Sequence, residues 1–261
     1  MIMKAKLYSV TGEQKGEVEL PKVFSAKINL SLIKKAVEAA QSSARQPYGA
    51  DPLAGKRSSA HYHGKRHYRF TMMNREMSRQ PRIHGKVGHL GFTARVAPHA
   101  VKGRKAHPPK AEKIWEKKLN KKEEFAALRS ALSASVVPDM IKARGHKFHS
   151  PIVFESAFEA LDKTSKVKSA LEVLLKEEMK RCSVKKVRAG TGKTRGRKYR
   201  RKKGPVVLLP SNSPLVRFGR NIPGFDFVAV DNITVEHLAP GTQPGRLLVT
   251  TEGALSALEK W

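Results

Sequence analysis

The sequence contains a single cysteine, Cys182, among 261 residues. A lone cysteine excludes an internal disulfide, and it leaves no second thiolate for a cysteine-rich metal site. No stretch approaches the roughly 20 consecutive apolar residues that a membrane-spanning helix requires. The apolar run at the start of the chain, within MIMKAKLYSV, is too short for a signal peptide. These absences predict a soluble, intracellular protein that does not enter a membrane.

Acidic residues are nearly absent from two stretches, although the formal net charge of the whole chain is +30. Residues 45–110, which we call the arm, hold 15 Lys and Arg against only Asp51 and Glu76. Residues 181–203, which we call the strap, hold 12 Lys and Arg and no acid. This distribution is typical of a protein that binds a polyanion, because counterion release from phosphates favours binding while the nearly neutral remainder folds without self-repulsion.

The arm also lacks hydrophobic periodicity, since Gly, Pro, His, Arg and Lys dominate it. Such a segment cannot bury enough surface to offset its conformational entropy, so we expect it to be extended and mobile in the free protein. Aromatic residues and seven of the ten histidines lie between its cations. Planar and basic side chains together suit RNA with unpaired bases. A merely solvated charge run is the alternative, and the near absence of acids and the predicted helices at both ends argue against it.

Outside these segments the sequence predicts an α/β domain. Residues 3–21 alternate as a hairpin, and short apolar strands are predicted at 151–156, 206–210, 226–231 and 246–251. The last three alternate with short helices, which predicts a three-layer domain with a mainly parallel sheet flanked by helices. The predicted organisation is one globular domain, with a body of residues 1–46 and 110–261, a long extended loop at 47–109 and the basic strap at 181–203.

Three longer helices are predicted from apolar residues at i, i+3 and i+4 spacing. The first has Asn29 or Ser31 as candidate caps, the second is left open to a break near Asn120, and Thr164 and Ser165 are candidate caps of the third. The three apolar faces are Leu32, Ile33, Ala36, Val37 and Ala40; Ile114, Leu119, Phe125, Leu128 and Leu132; and Val167, Ala170, Leu171, Leu174 and Leu175.

The fragment AGTGKTRGR, residues 189–197, resembles the end of a phosphate-binding loop. That motif needs a glycine five positions before the Gly-Lys pair, where Val187 stands, and an amphipathic helix after it, where RKYRRKKG follows. We therefore do not favour a nucleotide site. We favour a basic segment that binds phosphates and whose glycines make its backbone flexible. No spacing typical of a catalytic triad is evident, and the paired glutamates lie among lysines on predicted helices, so we predict no enzymatic activity. Cys182 borders the basic run, which could lower its pKa, but an incidental thiol is the favoured interpretation.

The spacing of His61, His63 and His67 could hold zinc. No carboxylate or thiolate is near in sequence, and Lys65 and Arg66 would repel a cation. We favour contacts of these rings with bases, phosphates and 2′-hydroxyls, and predict neither a metal nor any cofactor.

Three passages carry a family resemblance: RQPYG at 45–49, PRIHGKVGHLGFTARVAPHAVKGRKAHPPKAEK at 81–113 and RAGTGKTRGRKYRRKKGPVVL at 188–208. They resemble the universal large-subunit ribosomal protein L-four family, in its archaeal and eukaryotic branch, and the resemblance runs in order over essentially the whole chain. The sequence stops at Trp261 and lacks the long basic tail of eukaryotic members. In this respect it is similar to the archaeal members.

The resemblance implies a structural, cytoplasmic protein of the large ribosomal subunit that binds large-subunit rRNA early in assembly. Its loop would form part of the wall of the nascent-peptide exit tunnel, beside another ribosomal protein, number twenty-two, and other neighbouring proteins. The implied tunnel-lining tip is Arg79, Arg82, Ile83, His84, Gly85, Lys86 and His89. The implied rRNA-binding residues are Arg45, Gln46, Tyr48, Lys56, Arg57, His61, His63, Lys65, Arg66, Arg69, Arg75, Arg95, Lys102, Arg104, Lys105, His107, Lys110, Arg188, Lys193, Arg195, Arg197, Lys198, Arg200, Arg201, Lys202 and Lys203.

Two other functions are compatible with a basic α/β chain. An RNA-processing or RNA-modifying accessory factor would need a cofactor or nucleotide pocket at the strand ends. A chromatin-like protein that packages DNA would prefer duplex DNA to structured RNA at matched salt.

Overall fold

A computed structural model describes residues 3–84, 88–148 and 150–261. The chain divides into two compact units, each described below by itself. The body unit comprises Met1–Ser43 and Glu116–Trp261, and the inserted unit comprises Ala44–Trp115. No helix in the described ranges has the length and apolarity needed to cross a membrane.

The body unit is built around a six-stranded sheet. Within the described ranges the strands of the chain are β1 (Lys4–Tyr8), β2 (Gln14–Glu19), β3 (Ile152–Phe154), β4 (Lys186–Val187), β5 (Tyr199–Arg200), β6 (Val206–Leu209), β7 (Asp226–Ala229) and β8 (Leu248–Thr251). The order in the large sheet is β2-β1-β3-β8-β6-β7. Only the β1–β2 hairpin is antiparallel, and the other four pairings are parallel. The predicted mainly parallel sheet is confirmed.

Helices cover both faces of this sheet. They are α1 (Leu30–Ser43), α2 (Lys121–Ala134), α3 (Pro138–Ala143), α4 (Thr164–Ser183), α5 (Leu215–Phe218), α6 (Val235–Leu238) and α7 (Glu252–Leu258). Alternate side chains of β6 enter different hydrophobic clusters. Val206 and Leu208 pack in a cluster with α1, α2, α6 and α7, whereas Val207 and Leu209 pack in a cluster with α4 and α5. The three-layer α/β fold follows from this alternation, because strands buried on both faces must be apolar throughout.

Helix α1 forms where its apolar pattern predicts. Asn29 caps it, since its side-chain Oδ1 accepts a hydrogen bond from the backbone N–H of Leu32 at 3.1 Å. Ile33, Ala36 and Val37 are buried, whereas the predicted core residue Ala40 is exposed.

The second predicted helix begins ten residues later than expected. Residues 111–120 are not helical, and α2 starts only at Lys121. Ile114 is 86% exposed and Phe125 is also exposed, so neither shares the buried face that Leu128 and Leu132 form. Residues 112–118 are mostly Glu and Lys, which gives a helix there little apolar surface to bury.

Helix α4 buries most of its predicted stripe, including Val167, Leu171 and Leu175. Its first flanking residue is Lys163, which makes no side-chain cap, so the predicted caps at Thr164 and Ser165 are wrong. Leu175 has non-helical φ/ψ of −118° and 30°, which marks a kink.

The inserted unit consists mainly of turns and contains few buried apolar side chains, among them Ala60, Met72 and Ile83. Its two chain ends run close together. The N–H of Ala50 donates to the carbonyl of Pro109 at 2.9 Å. A Cβ on Gly49 would lie 2.6 Å from the backbone nitrogen of Ala111, so this approach requires glycine.

This closeness permits a test of whether the body unit folds alone. Deleting residues 51–108 and joining Ala50 to Pro109 through two glycines should leave a cooperative unfolding transition, because both large hydrophobic clusters consist of body-unit residues. Closing a shorter loop costs less entropy, by about 0.6 kcal/mol per halving, so the free energy of unfolding should be unchanged or slightly higher. Urea denaturation followed by circular dichroism measures it, and a non-cooperative transition would show that the arm supplies part of the core.

Candidate nucleic-acid interface

The strap is folded as a two-stranded antiparallel ribbon. Strand β4 pairs with β5, and the N–H of Arg188 donates to the carbonyl of Lys198 at 2.8 Å. The sequence did not predict this ribbon, because strands of two residues leave no detectable alternation.

The fragment that resembles a phosphate loop forms the tip of this ribbon. Thr191–Lys193 is a 3-10 turn, where a phosphate-binding loop would be followed by a long helix. Gly190 and Gly196 have φ of +83° and +74°, a left-handed backbone that favours glycine. The glycines therefore turn the chain, and the geometry supports the basic-segment interpretation of AGTGKTRGR.

The ribbon presents its cations to solvent. Every residue from Ser183 to Lys203 except Gly192 is exposed. Among the described residues, no salt bridge engages the ten Lys and Arg from Lys185 to Lys202. Lysines 185 and 198 lie over the Tyr199 ring at 5.7 and 5.5 Å. The arrangement can neutralise several phosphates at once without first breaking internal ion pairs.

A buried carboxylate fixes the start of the strap. Glu178, 1% exposed, pairs with Arg181 at 2.7 Å and with His146 at 3.2 Å, and it accepts the N–H of Lys147 at 2.5 Å. Burial alone would raise the pKa of Glu178, but hydrogen bonds from His146 and Lys147 and the charge of Arg181 outweigh it and hold the pKa below its ordinary value. Burial lowers the pKa of His146, which keeps that ring neutral.

Glu178→Gln should lower the free energy of unfolding at pH 7 by about 1–3 kcal/mol, because it removes a buried charge-assisted network. A carboxyl whose folded pKa lies below its unfolded pKa stabilises the fold above the unfolded value and loses that contribution as pH falls through the folded value. The intact chain should therefore lose stability below about pH 4.5, and the variant should lose less. Urea denaturation at several pH values measures this. The exposed neighbour gives the control Glu177→Gln, and equal effects of the two changes would contradict the account.

A buried arginine fixes the return of the strap into the sheet. The Arg246 side chain donates to the carbonyls of Gly204, Pro205 and His237 at 2.6, 3.2 and 2.7 Å. It also pairs with Asp226 at 2.7 Å, and Asp226 pairs in turn with Lys203 at 2.9 Å. Burial favours a neutral Asp226, but Arg246 and Lys203 prevail and lower its pKa.

Cys182 lies between these two anchors and is buried. Burial raises the pKa of its thiol, whereas the sequence had suggested that the neighbouring cations could lower it. A Cβ on Gly204 would lie 2.6 Å from the Cys182 sulfur, so the thiol is packed against the backbone. The thiol therefore fills space beside the Gly204 backbone.

The predicted rRNA-binding residues of the arm are mostly exposed, except that His63, Arg95 and Arg104 are half-buried. Some of them already have internal partners. Arg57 pairs with Asp51, and Arg95 donates to the carbonyl of Val101 at 2.9 Å. The predicted interleaving of cations and rings is present within the unit, since Arg69 lies 5.5 Å from the Phe70 ring.

A cation-flanked indole was missed by the sequence analysis. Trp115 stacks on Tyr48 with centroids 5.6 Å apart, and the Arg45 guanidinium and the Lys113 amine lie 3.9 and 4.4 Å from its ring. Trp115 lay within the helix predicted from residue 111, so it was not considered as a binding residue. A tryptophan two positions after AHPPKAEK, just beyond the end of the arm, was the available signal.

The predicted tunnel-lining residues differ in exposure. Arg79 and His89 are exposed, whereas Arg82 and His84 are half-buried and Ile83 is buried. The Arg82 guanidinium is used internally, donating to the carbonyls of Phe92 at 2.9 Å and Ser78 at 3.1 Å. The remaining two, Gly85 and Lys86, lie outside the described residues.

Three histidines of the arm lie together. One ring nitrogen of each of His61, His63 and His84 lies within 4.8 Å of the others. The Nε2 atoms of His63 and His84 are 2.7 Å apart, a hydrogen bond between rings. Partial desolvation and the two neighbouring rings lower the pKa of His63. His67, the third member of the spacing noted in the sequence, is not in this cluster.

Comparison with known proteins gives one consistent result. Residues 18–261 match the model of the Ribosomal protein L4/L1 family. The chain is 44% identical to the large ribosomal subunit protein uL4 of Nanoarchaeum equitans over 99% of this chain and 98% of that protein. It is 44% identical to the uL4 of Methanoculleus marisnigri, covering 99% and 100% of the two chains, and 41% identical to that of Methanocaldococcus jannaschii, covering 99% of each.

Proposed function

The chain belongs to the ribosomal protein L4/L1 family, and from this membership we propose that it is a structural constituent of the large ribosomal subunit that binds rRNA through the arm and the strap. The family consists of structural ribosomal proteins and not of enzymes, so the predicted absence of enzymatic activity is confirmed. Its relatives are named as large ribosomal subunit proteins, so this chain is part of the ribosome, and we propose the cytoplasm as its location.

One observation carries the RNA-binding proposal. The ribbon of the strap exposes ten Lys and Arg that no described carboxylate neutralises. A cationic surface of this density repels itself unless anions surround it, and phosphates of folded RNA supply them. Contacts from Lys and Arg to phosphates carry no sequence information, so we expect this surface to recognise RNA backbone and shape.

The arm completes the proposed interface. Its exposed cations, including Lys56, Arg66 and Lys105, would neutralise phosphates of rRNA that encloses the arm. The Tyr48 ring, 52% exposed and held by its stack on Trp115, would offer a planar surface to an unpaired base. We further propose that the predicted tip lines the wall of the polypeptide exit tunnel, where it meets nascent peptide and a second ribosomal protein. Its residues are Arg79, Arg82, Ile83, His84, Gly85, Lys86 and His89. Binding of this kind would occur early in subunit assembly.

The proposal is tested by comparing salt-matched affinities for a large-subunit rRNA transcript and for duplex DNA of equal length. We expect tighter binding to the structured RNA and co-sedimentation with large subunits through high salt. A preference for duplex DNA would instead support a DNA-packaging protein. Tight binding of a nucleotide or a methyl donor would support an RNA-modifying factor.

A further inference from the structure

Two separate stretches of the inserted unit bring three imidazoles together. His61 and His63 belong to one stretch and His84 to another, 21 residues beyond His63. Backbone pairing aligns the two stretches, because the N–H of Arg82 donates to the carbonyl of His61 at 3.3 Å. The cluster therefore depends on the folded backbone, and sequence spacing alone would have selected His67.

The hydrogen bonding of His61 sets which of its nitrogens can bind a ligand. Its Nδ1 lies 3.1 Å from the carbonyl oxygen of Ser59. A carbonyl only accepts, so Nδ1 carries the proton, and the neutral ring has its lone pair on Nε2. Histidines that bind metals commonly donate the other ring N–H to a backbone carbonyl in this way, which fixes the tautomer and the ring orientation.

Aromatic rings pack against the other two imidazoles. Tyr68 stacks on His63 with centroids 4.3 Å apart and planes 22° apart. Phe70 stacks on His84 at 4.2 Å and 1°. These contacts cover one face of the His63 ring and one face of the His84 ring, which leaves a single face of each for stacking, while the nitrogens at the ring edges stay near one another. The arrangement is better suited to a ligand held by ring nitrogens than to a base held by ring faces.

We propose that His61, His63 and His84 form a site for a divalent transition metal, with Zn²⁺ as the ion that three imidazoles and a fourth position open to water suit best. The metal would replace the hydrogen bond between His63 and His84. The ring that donates in that bond must move its proton from Nε2 to Nδ1, so the neutral cluster binds the ion without releasing a proton. A set of three imidazoles and no carboxylate disfavours Mg²⁺ and Ca²⁺, which prefer oxygen ligands.

The composition of the inserted unit gives such a metal a structural role. Few apolar side chains of this unit are buried, and small units with little core commonly depend on a metal or a disulfide. Binding free energy at a site formed only in the folded state is folding free energy. The metal would therefore join the stretch around residues 61–63 to the stretch around residue 84 before RNA is present.

The test is calorimetric titration of the metal-stripped, full-length chain with Zn²⁺ in the absence of RNA. We expect one equivalent to bind, and Co²⁺ in its place to give the visible absorption of a tetrahedral site. His84→Ala should weaken Zn²⁺ binding about tenfold or more. His67→Ala is the matched control, a neighbouring arm histidine outside the cluster, and should bind as the unchanged chain does.

Two outcomes would overturn the proposal. One is the absence of saturable binding near one equivalent by the unchanged chain. The other is an equal loss in His67→Ala and His84→Ala, which would assign any binding to general histidine content. Limited proteolysis gives a second readout, because Zn²⁺ should slow cleavage between residues 61 and 84 in the unchanged chain and not in His84→Ala. RNA takes no part in these measurements, so their failure would leave the proposed rRNA binding unaffected.

Discussion

Replacing Arg246 with methionine is expected to lower the free energy of unfolding by about 3–5 kcal/mol, the range seen when one partner of a buried ion pair is removed. The Arg246 side chain is 0% exposed and links the carbonyls of Gly204, Pro205 and His237 to the carboxylate of Asp226. Methionine keeps much of the apolar stem but supplies no donor. The carbonyls and the carboxylate would then stay desolvated without their partner.

Urea denaturation followed by circular dichroism measures this change. Arg220→Met is the matched control, because Arg220 is exposed and an exposed substitution of this kind changes stability by about 0.5 kcal/mol or less. The strap joins the sheet at Gly204, so the Arg246 variant should also loosen the ribbon and speed amide exchange at Arg188. Equal stability of the two variants would mean that Arg246 does not anchor the strap.

The second large effect is expected in RNA binding. Changing Lys193, Arg195, Arg197 and Arg200 together to alanine should weaken binding to large-subunit rRNA by about a hundredfold near physiological salt, if all four contact phosphates. The logarithm of the affinity falls linearly with the logarithm of salt concentration, and each lost phosphate contact should reduce that slope by about 0.7–0.9. All four residues are exposed on the ribbon, so the fold should be unchanged.

The control removes the same number of positive charges elsewhere on the body unit, by changing the exposed Lys34, Lys118, Lys121 and Lys168 to alanine. Filter binding or fluorescence anisotropy from 50 to 400 mM salt compares the two variants. We expect a much smaller change of slope in the control, because those lysines are scattered over the surface. If the salt dependence of the affinity falls by the same amount in both variants, net charge decides binding, and the strap is not a specific part of the interface.

The sequence predicted the body of the fold because apolar runs and periodic stripes are strong local signals. The strands around Ile152, Val206 and Leu248 and the buried stripe of α4 lie where the pattern indicates. The helix predicted over residues 111–120 was wrong, since Ile114 and Leu119 match a helical spacing by chance within a run of charged residues. Periodicity counts apolar positions, but it does not say whether a partner surface exists to cover them.

The sequence predicted where the positive charges of the candidate interface lie, but it did not predict how the backbone arranges them. Counting Lys and Arg located the strap, but the pairing of Val187 with Tyr199 depends on a turn whose glycines have no periodic signature. The clustering of His84 with His61 depends on a backbone contact across 21 residues, and the burial of Arg246 depends on four carbonyls from distant parts of the chain. Contacts of this kind arise only when the tertiary fold brings the segments together.

The most direct measurement combines the deletion in the arm with the four alanine changes in the strap. A chain that lacks residues 51–108 and carries the four alanines in the strap should unfold cooperatively, because its hydrophobic clusters are intact. Its binding to large-subunit rRNA should be much weaker and depend less steeply on salt, since 13 of the 15 cations of the arm and four cations of the strap are gone. If this folded chain instead binds with the affinity and the salt slope of the intact protein, RNA recognition lies elsewhere on the body unit and the account is wrong.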